Sequence, residues 1–343
     1  MPFIHPTSGK PCLSRVLKTL AVMCVGVLAA GVSPALGAFP GGNGKIAFDS
    51  DRDGGDPDIW TMNPNGSNPV NLTADSEATD VSVNWSADGR KLVFMSDRIT
   101  ATNPEGDFEI FVMNADGSHL KQITFSEFDD ESPAWSPDGK RIVFQRDLDL
   151  VRGEVDYDIF TMKADGSNQQ NRTNSPAVQD VEPNWSPNGR RIAFSSDRDG
   201  DNEIYTMRPN GSGERQLTFN VGPFDSAPNW SPDGRMIAFD SDRDLTDQTP
   251  FQVEIYTMRA SGDDQTRLTF HDLSDFFPAW SPNGRQIAFS SFREATDEHP
   301  ENVEIFTMRR HGSDLMNRSN HPAFDAAPDW QPLDSDDDHG DDD

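Results

Sequence analysis

Residues 225–239 read D-S-A-P-N-W-S-P-D-G-R-M-I-A-F, and variants of this phrase recur along the whole chain. The tryptophan of each copy is separated from the next by 50 residues, or by 45 in one case. Five of the six copies continue as W-S-x-[DN]-G-[RK], and a β-rich run such as residues 191–194 follows. The six tryptophans are Trp85, Trp135, Trp185, Trp230, Trp280 and Trp330. A period of this length indicates that each copy is one unit of a repeat protein.

Each copy carries the signals of four short antiparallel strands, here named A to D. Strand A ends at the tryptophan, strand B follows the Ser-Pro-Asp-Gly phrase, strand C starts with an acid-Ile-aromatic run, and strand D is a Leu-Thr-like segment. The Ser-Pro-Asp-Gly phrase suits a tight A–B hairpin, because Pro presets the first turn position and Gly completes the turn. Asn65-Gly66, Asp116-Gly117, Asp165-Gly166 and Asn210-Gly211 mark the C–D hairpin. The sequence therefore predicts an all-β fold, a six-bladed β-propeller with four antiparallel strands per blade.

The two ends of the repeat region carry complementary fragments. The first unit starts at a strand B, residues 45–48, with no tryptophan strand before it, whereas the last copy stops at Pro328-Asp-Trp330. We therefore predict that the Trp330 strand joins the Lys45 strand and closes the ring, within a propeller domain that spans residues 39–332.

Residues 1–38 differ in kind from the rest of the chain. They contain three basic residues, no acidic residue, an apolar run over about residues 20–32, and small residues up to Gly37 and Ala38. This pattern is typical of a signal peptide that is cleaved near Gly37 or Ala38. The apolar run is too short for a membrane span. Both cysteines, Cys12 and Cys24, lie in this segment, so we expect a secreted or periplasmic protein without thiols.

The opposite end of the chain, residues 333–343, contains seven aspartates between Asp334 and Asp343. Such a segment has little apolar surface to bury, so the sequence predicts an acidic disordered tail.

The charge balance limits the partners. The chain has 29 Lys and Arg against 58 Asp and Glu, a net charge of −29, and removal of the signal peptide leaves −32. A surface of this sign repels phosphate backbones, so we expect no nucleic-acid binding. A protein or peptide, with a basic one favoured by charge, or a divalent metal fits better. The alternative is that the acidity only keeps an exported protein soluble. We expect a monomer.

The order of the strands predicts which face binds. In a four-strand blade the A–B and C–D turns lie on one face, here the turn face, and the B–C and D–A loops lie on the other, here the loop face. The B–C loops vary from 4 to 11 residues, whereas the turns are nearly uniform. Long and diverse loops on a rigid scaffold are where binding usually occurs, so we predict a partner site on the loop face.

A regular set of charges falls on that face. An aspartate stands five residues before each tryptophan, and because strand A is innermost, these aspartates should ring the mouth of the central channel. They are Asp80, Asp130, Asp180, Asp225, Asp275 and Asp325. Such a ring would attract a cation or a basic peptide, and it is our predicted partner-binding site.

Arginines at a fixed offset after strand B offer an alternative role for the ring. They are Arg52, Arg98, Arg198, Arg243 and Arg293, while the third blade has Arg146 two places early. Each can form a bidentate ion pair with a neighbouring aspartate. We favour this structural pairing, with the leftover charge serving to attract a partner.

Signals for a cofactor or for catalysis are few. Residues 51–58 and 197–203 are carboxylate-dense loops that could supply oxygens to calcium, although Asp-Gly clusters are also ordinary turn chemistry. His271 and His321 occupy neighbouring D–A loops, where they could hold a transition metal. The sequence has no H-E-x-x-H and no G-x-S-x-G motif. We therefore assign no catalytic residue, no metal ligand and no cofactor, with calcium as the alternative.

The phrase D-x-x-P-x-W-S-P-D-G-x-x-I-A-F, most complete at residues 225–239, resembles the WD-like repeat of the TolB propeller family, which is related to the propellers of tricorn-type and prolyl-oligopeptidase-type peptidases. The resemblance covers residues 44–332. It implies a propeller that docks proteins, since TolB is periplasmic and its propeller binds a peptidoglycan-associated lipoprotein. The repeats start soon after the predicted cleavage site, so we expect a propeller without the separate N-terminal α/β domain of TolB.

These observations together predict an exported, non-catalytic scaffold of the cell envelope or extracellular space that binds a protein or peptide. The alternatives are a propeller hydrolase or lyase that acts on a peptide or sugar polymer, including a metal-dependent one, and a calcium-dependent structural or adhesive protein.

Overall fold

The computed structural model of the protein describes residues 38–74, 77–148, 156–244, 252–296, 299 and 302–333. The predicted signal peptide and the predicted acidic tail lie outside the described residues, apart from Ala38 and Leu333. The described residues form 24 strands in six four-stranded sheets, and they contain no helix. The prediction of an all-β, six-bladed propeller is confirmed.

The six blades follow the chain in order, and each sheet runs from an inner strand A to an outer strand D. Blade I contains β1 (Gly42–Ser50), β2 (Asp58–Met62), β3 (Val70–Asn71) and, as its inner strand, β24 (Asp325–Leu333). Blade II contains β4 (Asp80–Trp85), β5 (Lys91–Ser96), β6 (Glu109–Asn114) and β7 (Lys121–Gln122). Blade III contains β8 (Asp130–Trp135), β9 (Arg141–Asp147), β10 (Tyr157–Lys163) and β11 (Gln170–Asn171).

The second half of the ring has the same order. Blade IV contains β12 (Asp180–Trp185), β13 (Ile192–Ser196), β14 (Glu203–Met207) and β15 (Arg215–Gln216). Blade V contains β16 (Asp225–Trp230), β17 (Met236–Ser241), β18 (Glu254–Arg259) and β19 (Thr266–Arg267). Blade VI contains β20 (Asp275–Trp280), β21 (Gln286–Ser291), β22 (Glu304–Arg309) and β23 (Met316–Asn317). The very short strands D are the outer edges, which limits edge-to-edge pairing with other molecules.

Blade I closes the ring as predicted. β24 pairs antiparallel with β1, and Trp330 lies opposite Ile46 while Asp325 lies opposite Ser50. The register extends to Gly42 opposite Leu333, so β1 begins and β24 ends on the turn face. The Trp330 strand therefore completes the blade that the Lys45 strand begins.

The core is divided into clusters that lie between neighbouring blades. The six repeat tryptophans are all at most 4% exposed. Trp185 and Phe194 of blade IV, for example, pack against Val143 and Ile159 of blade III. Burial of each such large side chain contributes about 1.5–3 kcal/mol, so the ring is held by six interfaces instead of one central core.

Every strand A contains a β-bulge that the sequence did not predict. Its third residue has a positive φ in all six blades: Ser82, Ser132, Glu182, Ala227, Phe277 and Ala327. The bulge turns a backbone N–H toward the preceding blade, where Ser82 donates to Asp49 Oδ2 (3.0 Å) and Phe277 donates to Asp240 Oδ2 (3.0 Å). These bonds offset the cost of a left-handed backbone, on the order of 1 kcal/mol per residue.

Candidate interaction faces

The six ring aspartates are placed where the sequence predicted, at the loop-face end of each strand A, and all have fully buried side chains. Each forms an ion pair with an arginine at 2.5–2.7 Å: Asp325 with Arg52, Asp80 with Arg98, Asp130 with Arg146, Asp180 with Arg198, Asp225 with Arg243, and Asp275 with Arg293. The arginines cover the carboxylates from solvent. Partner binding by the ring stays a prediction, and in this arrangement the arginines separate the carboxylates from a partner.

Blade III shows that the pair is maintained when the repeat pattern changes. Arg146 lies in β9 directly opposite Asp130, at the position that Ser96 occupies in blade II. Its Nε and Nη2 donate to both oxygens of Asp130, at 2.5 and 2.7 Å. In blade II, by contrast, Ser96 Oγ holds the Arg98 side chain in place (3.2 Å). In blade III, Arg146 alone thus takes the roles that Ser96 and Arg98 share in blade II.

The aromatic residue of each strand C supports these arginines. The Arg198 guanidinium lies 4.7 Å from the ring centroid of Tyr205 and 5.4 Å from that of Phe194. Arg98 lies 5.6 Å from the Phe111 ring. A cation over an aromatic face is stabilised by the ring quadrupole, so the acid-Ile-aromatic run has an electrostatic role as well as a packing role.

A second layer of buried acids, missed in the sequence, lies beside the ring. It consists of the acids of the acid-Ile-aromatic runs in strands C, each at most 4% exposed: Asp58, Glu109, Asp158, Glu203, Glu254 and Glu304. Glu109 Oε1 accepts the Ser126 backbone N–H (2.7 Å), so it fixes the start of the next D–A loop. Burial raises the pKa of Glu109 to about 8, and the negative charge of Asp130 adds to this effect. The signal that could have identified this layer is the buried isoleucine beside each acid.

Further carboxylates tie the loops of the loop face to one another. Asp97 Oδ1 accepts the Thr79 N–H (2.7 Å), Asp242 Oδ1 accepts the Phe224 N–H (2.7 Å), and Asp51 Oδ1 accepts the Phe324 N–H (2.9 Å). Each bond joins a B–C loop to the D–A loop that leads into the same blade. Long loops of different sequence are therefore anchored by one repeated contact.

The two carboxylate-dense loops that suggested calcium use their oxygens in the same way. In residues 197–203, Asp197 accepts the Gln179 N–H, Asp199 accepts from Gln216, and Asp201 accepts the Gly222 N–H. In residues 51–58, Asp53 Oδ2 accepts from Asn71 Nδ2 at 2.8 Å. Among the described residues no three His, Cys, Asp or Glu side chains converge as a metal-ligand set. Calcium binding remains untested.

The histidines that suggested a metal site contact the loops around them. The Leu273 N–H donates to His271 Nδ1 (3.1 Å), and the backbone N–H of His271 donates to Glu254 (3.0 Å). The N–H of His321 donates to Glu304 in the same way (2.9 Å). Both residues thus occupy equivalent loop positions, as the sequence indicated.

Another set of buried carboxylates lies between neighbouring blades along strands A and B. It consists of Asp49, Glu131, Glu182, Asp240 and Asp329, each at most 5% exposed. Burial raises the pKa of Glu182 to about 8, helped by the charge of Asp240, and burial raises the pKa of Asp329 to about 7. Glu182 accepts the Ala227 N–H of the next blade (2.7 Å). Asp49, Asp240 and Asp329 likewise accept backbone N–H groups of the next blade, whereas Glu131 accepts from Gln145 of its own blade.

The loop face exposes apolar and acidic side chains together. Its exposed large apolar residues are Ile99, Phe125, Phe219, Val221, Phe270 and Leu273. Its exposed acids are Asp53, Glu77, Glu105, Glu127, Asp199, Asp244, Asp272 and Glu294. The described B–C and D–A loops contain no fully exposed lysine or arginine.

Three of the exposed apolar residues occupy one repeat position. Phe125, Phe219 and Phe270 each follow the threonine that comes two residues after strand D, and they are 59–76% exposed. Phe219 and Phe270 belong to successive D–A loops, with Val221 and Leu273 beside them in the chain. An exposed aromatic side chain gains little from folding, so its recurrence makes this part of the loop face a candidate docking surface.

The turn face has the opposite charge character. Its turns and the strand residues beside them expose thirteen basic side chains: Arg90, Lys91, Lys121, Lys140, Lys163, Arg190, Arg208, Arg215, Arg235, Arg259, Arg285, Arg309 and Arg310. The exposed acids there are Asp88, Asp116, Asp138, Asp165, Glu214, Asp233, Asp263, Asp264 and Asp314. The sequence showed no basic patch, because the contributing residues are spread over six repeats.

The fold and the repeated Trp-Ser-Pro-Asp-Gly turn place the protein among six-bladed propellers whose blades share the WD-like motif. The TolB beta propeller domain model matches residues 148–239 and 179–332, which together cover more than half of the chain. The chain therefore belongs to the TolB beta propeller domain family. No curated protein sequence matches it.

Solved structures show the same fold. TolB from Acinetobacter baumannii is 20% identical, with a TM-score of 0.68 over 84% of this chain and 67% of that one. A putative TolB from Agrobacterium tumefaciens is 21% identical, with a TM-score of 0.59 over 85% and 92%. An oligogalacturonate lyase from Vibrio parahaemolyticus is 13% identical, with a TM-score of 0.52 over 83% and 77%. Identities this low establish the fold alone.

The described residues also contain no helix with the length and apolar character needed to cross a bilayer.

Proposed function

We propose that this protein is an exported, non-catalytic scaffold that uses its loop face to bind a basic protein or peptide segment carrying apolar side chains. The observation that supports this most is the composition of the loop face, where exposed phenylalanines stand among exposed carboxylates and where the loop residues that the structure describes include no exposed lysine or arginine. Aromatic side chains supply contact area, and surrounding charge steers a partner of opposite sign and fixes its register.

Membership of the TolB propeller family agrees with this proposal, since propellers of this kind present loops on a rigid ring. The buried acids of the loop face contribute indirectly. Asp97, Asp242 and Glu109 hold the backbone of the loops that carry the exposed groups. A partner would therefore meet loops that are already ordered, which reduces the entropy cost of binding.

A peptide titration tests the proposal. Fluorescent decapeptides that alternate lysine with leucine, and matched peptides that alternate glutamate with leucine, would be titrated into the full chain with anisotropy as readout. We expect only the basic peptide to bind, and we expect the Phe219→Ser/Phe270→Ser variant to lose at least about tenfold in affinity.

The matched control is Leu315→Ser/Met316→Ser, which removes two exposed apolar side chains at the C–D turn and strand D of blade VI. It should bind the basic peptide like the wild type. Equal losses in both double variants, or equal binding of the acidic peptide, would contradict a specific site on the loop face. A natural partner can then be sought by comparing captures by the wild type and the phenylalanine variant.

The export part of the proposal has its own test. N-terminal sequencing of the protein recovered outside the cytoplasm should give a first residue at Ala38 or Phe39. Both are buried, and the Ala38 N–H donates to the Trp230 carbonyl oxygen (3.1 Å). Recovery of the unprocessed chain from the cytoplasm alone would contradict it.

A further inference from the structure

A groove of about 610 Å³ opens on the turn face between blades V and VI. Its lining includes the buried Trp280 and Leu268, and the exposed Arg259, Arg310 and His311 at the two C–D turns form part of its rim. A volume of this size is in the range of small-ligand and peptide sites.

The cationic groups of the rim are only weakly engaged. Arg259 pairs with Asp264 at 2.7 Å, but both side chains are more than 60% exposed, and such surface pairs contribute about 0–1 kcal/mol. Arg310 Nε donates to His311 Nε2 (2.9 Å), and no carboxylate among the described residues pairs with it. The acid Asp233, also on the rim, is occupied by the Ser231 hydroxyl (2.7 Å). The groove can therefore accept further carboxylates.

The polypeptide leaves the propeller on the face where this groove opens. β24 ends at Leu333 on the turn face, opposite Gly42 of β1. The neighbouring Asn43 Oδ1 accepts the backbone N–H of Asn283, a rim residue of the groove (3.2 Å), and the Gly41 N–H donates to the Pro282 carbonyl oxygen (3.3 Å). The end of the last strand and the edge of the groove are thus linked through β1.

The next ten residues read D-S-D-D-D-H-G-D-D-D and lie outside the described residues. They contain seven aspartates and no lysine or arginine. An extended chain covers about 3.3 Å per residue, so ten residues reach about 33 Å from Leu333.

We propose that residues 334–343 dock in the groove of their own chain, with their carboxylates paired to Arg259 and Arg310. Each exposed pair is weak by itself, but a short tether gives the segment an effective concentration in the millimolar range, so several weak pairs suffice. The groove is then a site for acidic peptides that the chain itself occupies, and an external acidic ligand has to displace this segment.

The first experiment is zero-length carbodiimide crosslinking of the full chain, followed by peptide mass spectrometry. The Arg259→Lys variant places an amine on the rim, while Lys163 occupies the same turn position in blade III and serves as the internal control. We expect crosslinks from residues 334–343 to the introduced lysine at least about tenfold more often than to Lys163. Equal crosslinking at the two positions would overturn the proposal.

Mixing ¹⁵N-labelled and unlabelled full chains separates docking within one chain from docking between copies. Crosslinks within one isotope class support the proposal, whereas a statistical mixture of classes would show that a second copy supplies the acidic segment and would overturn it.

A second experiment keeps the full chain but replaces the seven aspartates of residues 334–343 with asparagine. This variant should bind a synthetic D-S-D-D-D-H-G-D-D-D peptide at least about tenfold more tightly than the wild type does. Adding Arg310→Glu should abolish the gain, and adding Arg208→Glu in blade IV should not. Unchanged binding in the Arg310→Glu chain would place the site elsewhere and refute the proposal. None of these readouts involves the loop face, so they stand apart from the proposed function.

Discussion

The loop face and the turn face are built from the same repeat, yet they treat charge in opposite ways. The loop face buries carboxylates against arginines and backbone N–H groups, as in the pair of Asp80 with Arg98 (2.5 Å). The turn face exposes its carboxylates and most of the basic side chains. Buried acids anchor loops whose sequences differ, while the turns keep their shape through local chemistry. The ring can therefore vary the loop face without losing its fold.

The difference is visible in the pKa values. On the loop face, burial raises the pKa of Asp80 to about 6, even though the charge of Arg98 opposes the shift. On the turn face, partial burial of Asp233 is outweighed by hydrogen bonds from Ser231 and the Arg235 N–H, so the pKa lies below the ordinary value. The acids of the loop face should thus affect stability at higher pH values than the acids of the turn face do.

The largest effect that we expect is a loss of stability as the pH rises. Acids with a raised pKa in the folded state stabilise it fully below their unfolded pKa, about 4, and this stability is lost as the pH passes the folded value. For Glu182, Glu109 and Glu203 the folded values are about 8. Urea unfolding should therefore show the highest free energy of unfolding near about pH 5, with a decline up to about pH 9.

Glu182→Gln sharpens this test. It should reduce the slope of the free energy of unfolding against pH, between about pH 5 and pH 8, by an amount that corresponds to close to one bound proton. Asp233→Asn on the turn face should change this slope only below about pH 4. A free energy of unfolding that stays constant from pH 5 to pH 9 would show that the buried acids are ionised in the folded state.

The second effect concerns one aspartate from each face. Asp80→Ala removes a buried carboxylate and leaves Arg98 without its partner, so we expect a loss of about 3 kcal/mol in the free energy of unfolding. Asp88→Ala removes an exposed turn carboxylate that accepts from Ser86 Oγ (2.6 Å), and we expect about 1 kcal/mol. Similar losses in chemical denaturation would contradict a structural role for the aspartate ring.

In the third comparison, the turn face should be more sensitive to substitution than the loop face. Gly166 in a C–D turn (φ 88°) and Gly54 in a B–C loop (φ 82°) both have left-handed backbones, so alanine costs about 1 kcal/mol at either. A Cβ at Gly166 would also lie 2.0 Å from the Ile123 carbonyl oxygen of the neighbouring blade, while one at Gly54 meets nothing within 4 Å. We expect Gly166→Ala to cost about 2 kcal/mol more in thermal or urea unfolding. Equal losses would mean that the turn face yields as easily as the loop face.

The smallest effect should be that of the exposed phenylalanines on stability. Phe219→Ser/Phe270→Ser changes side chains that are 72% and 76% exposed, so the free energy of unfolding should stay within about 0.5 kcal/mol of the wild type. A loss above about 2 kcal/mol would show that these residues serve packing and would remove them from the docking surface.

The sequence was sufficient for the fold because the information is periodic. Six copies of one phrase predicted the blades, and the incomplete copies at Lys45 and Trp330 predicted the closure that pairs Ile46 with Trp330. The same periodicity located the ring aspartates and their arginines. Periodicity did not show that Arg146 fully replaces the arginine of the other blades, because only the register places Arg146 opposite Asp130 in the sheet.

Other parts of the site had no periodic signal. Glu182 and Asp329 stand at different positions of their repeats, so their common burial between blades depends on the three-dimensional register. The basic turn face depends on the fold in the same way, since strand order alone brings Arg90, Lys163 and Arg310 to one side. Exposure of Phe219 could not be read from a residue type that is usually buried.

The joint between β24 and β1 also sets the time at which the molecule can fold. Ser50 Oγ donates to Asp325 Oδ1 across 275 residues of chain, so blade I obtains its inner strand only when the last residues of the propeller are available. Contacts this distant in sequence are slow to form, because the loop must close before the contact stabilises it. A chain threaded through a membrane from its N-terminus would keep its first and last strands on opposite sides until transport ends. For a chain exported in this way, the ring would close only after transport.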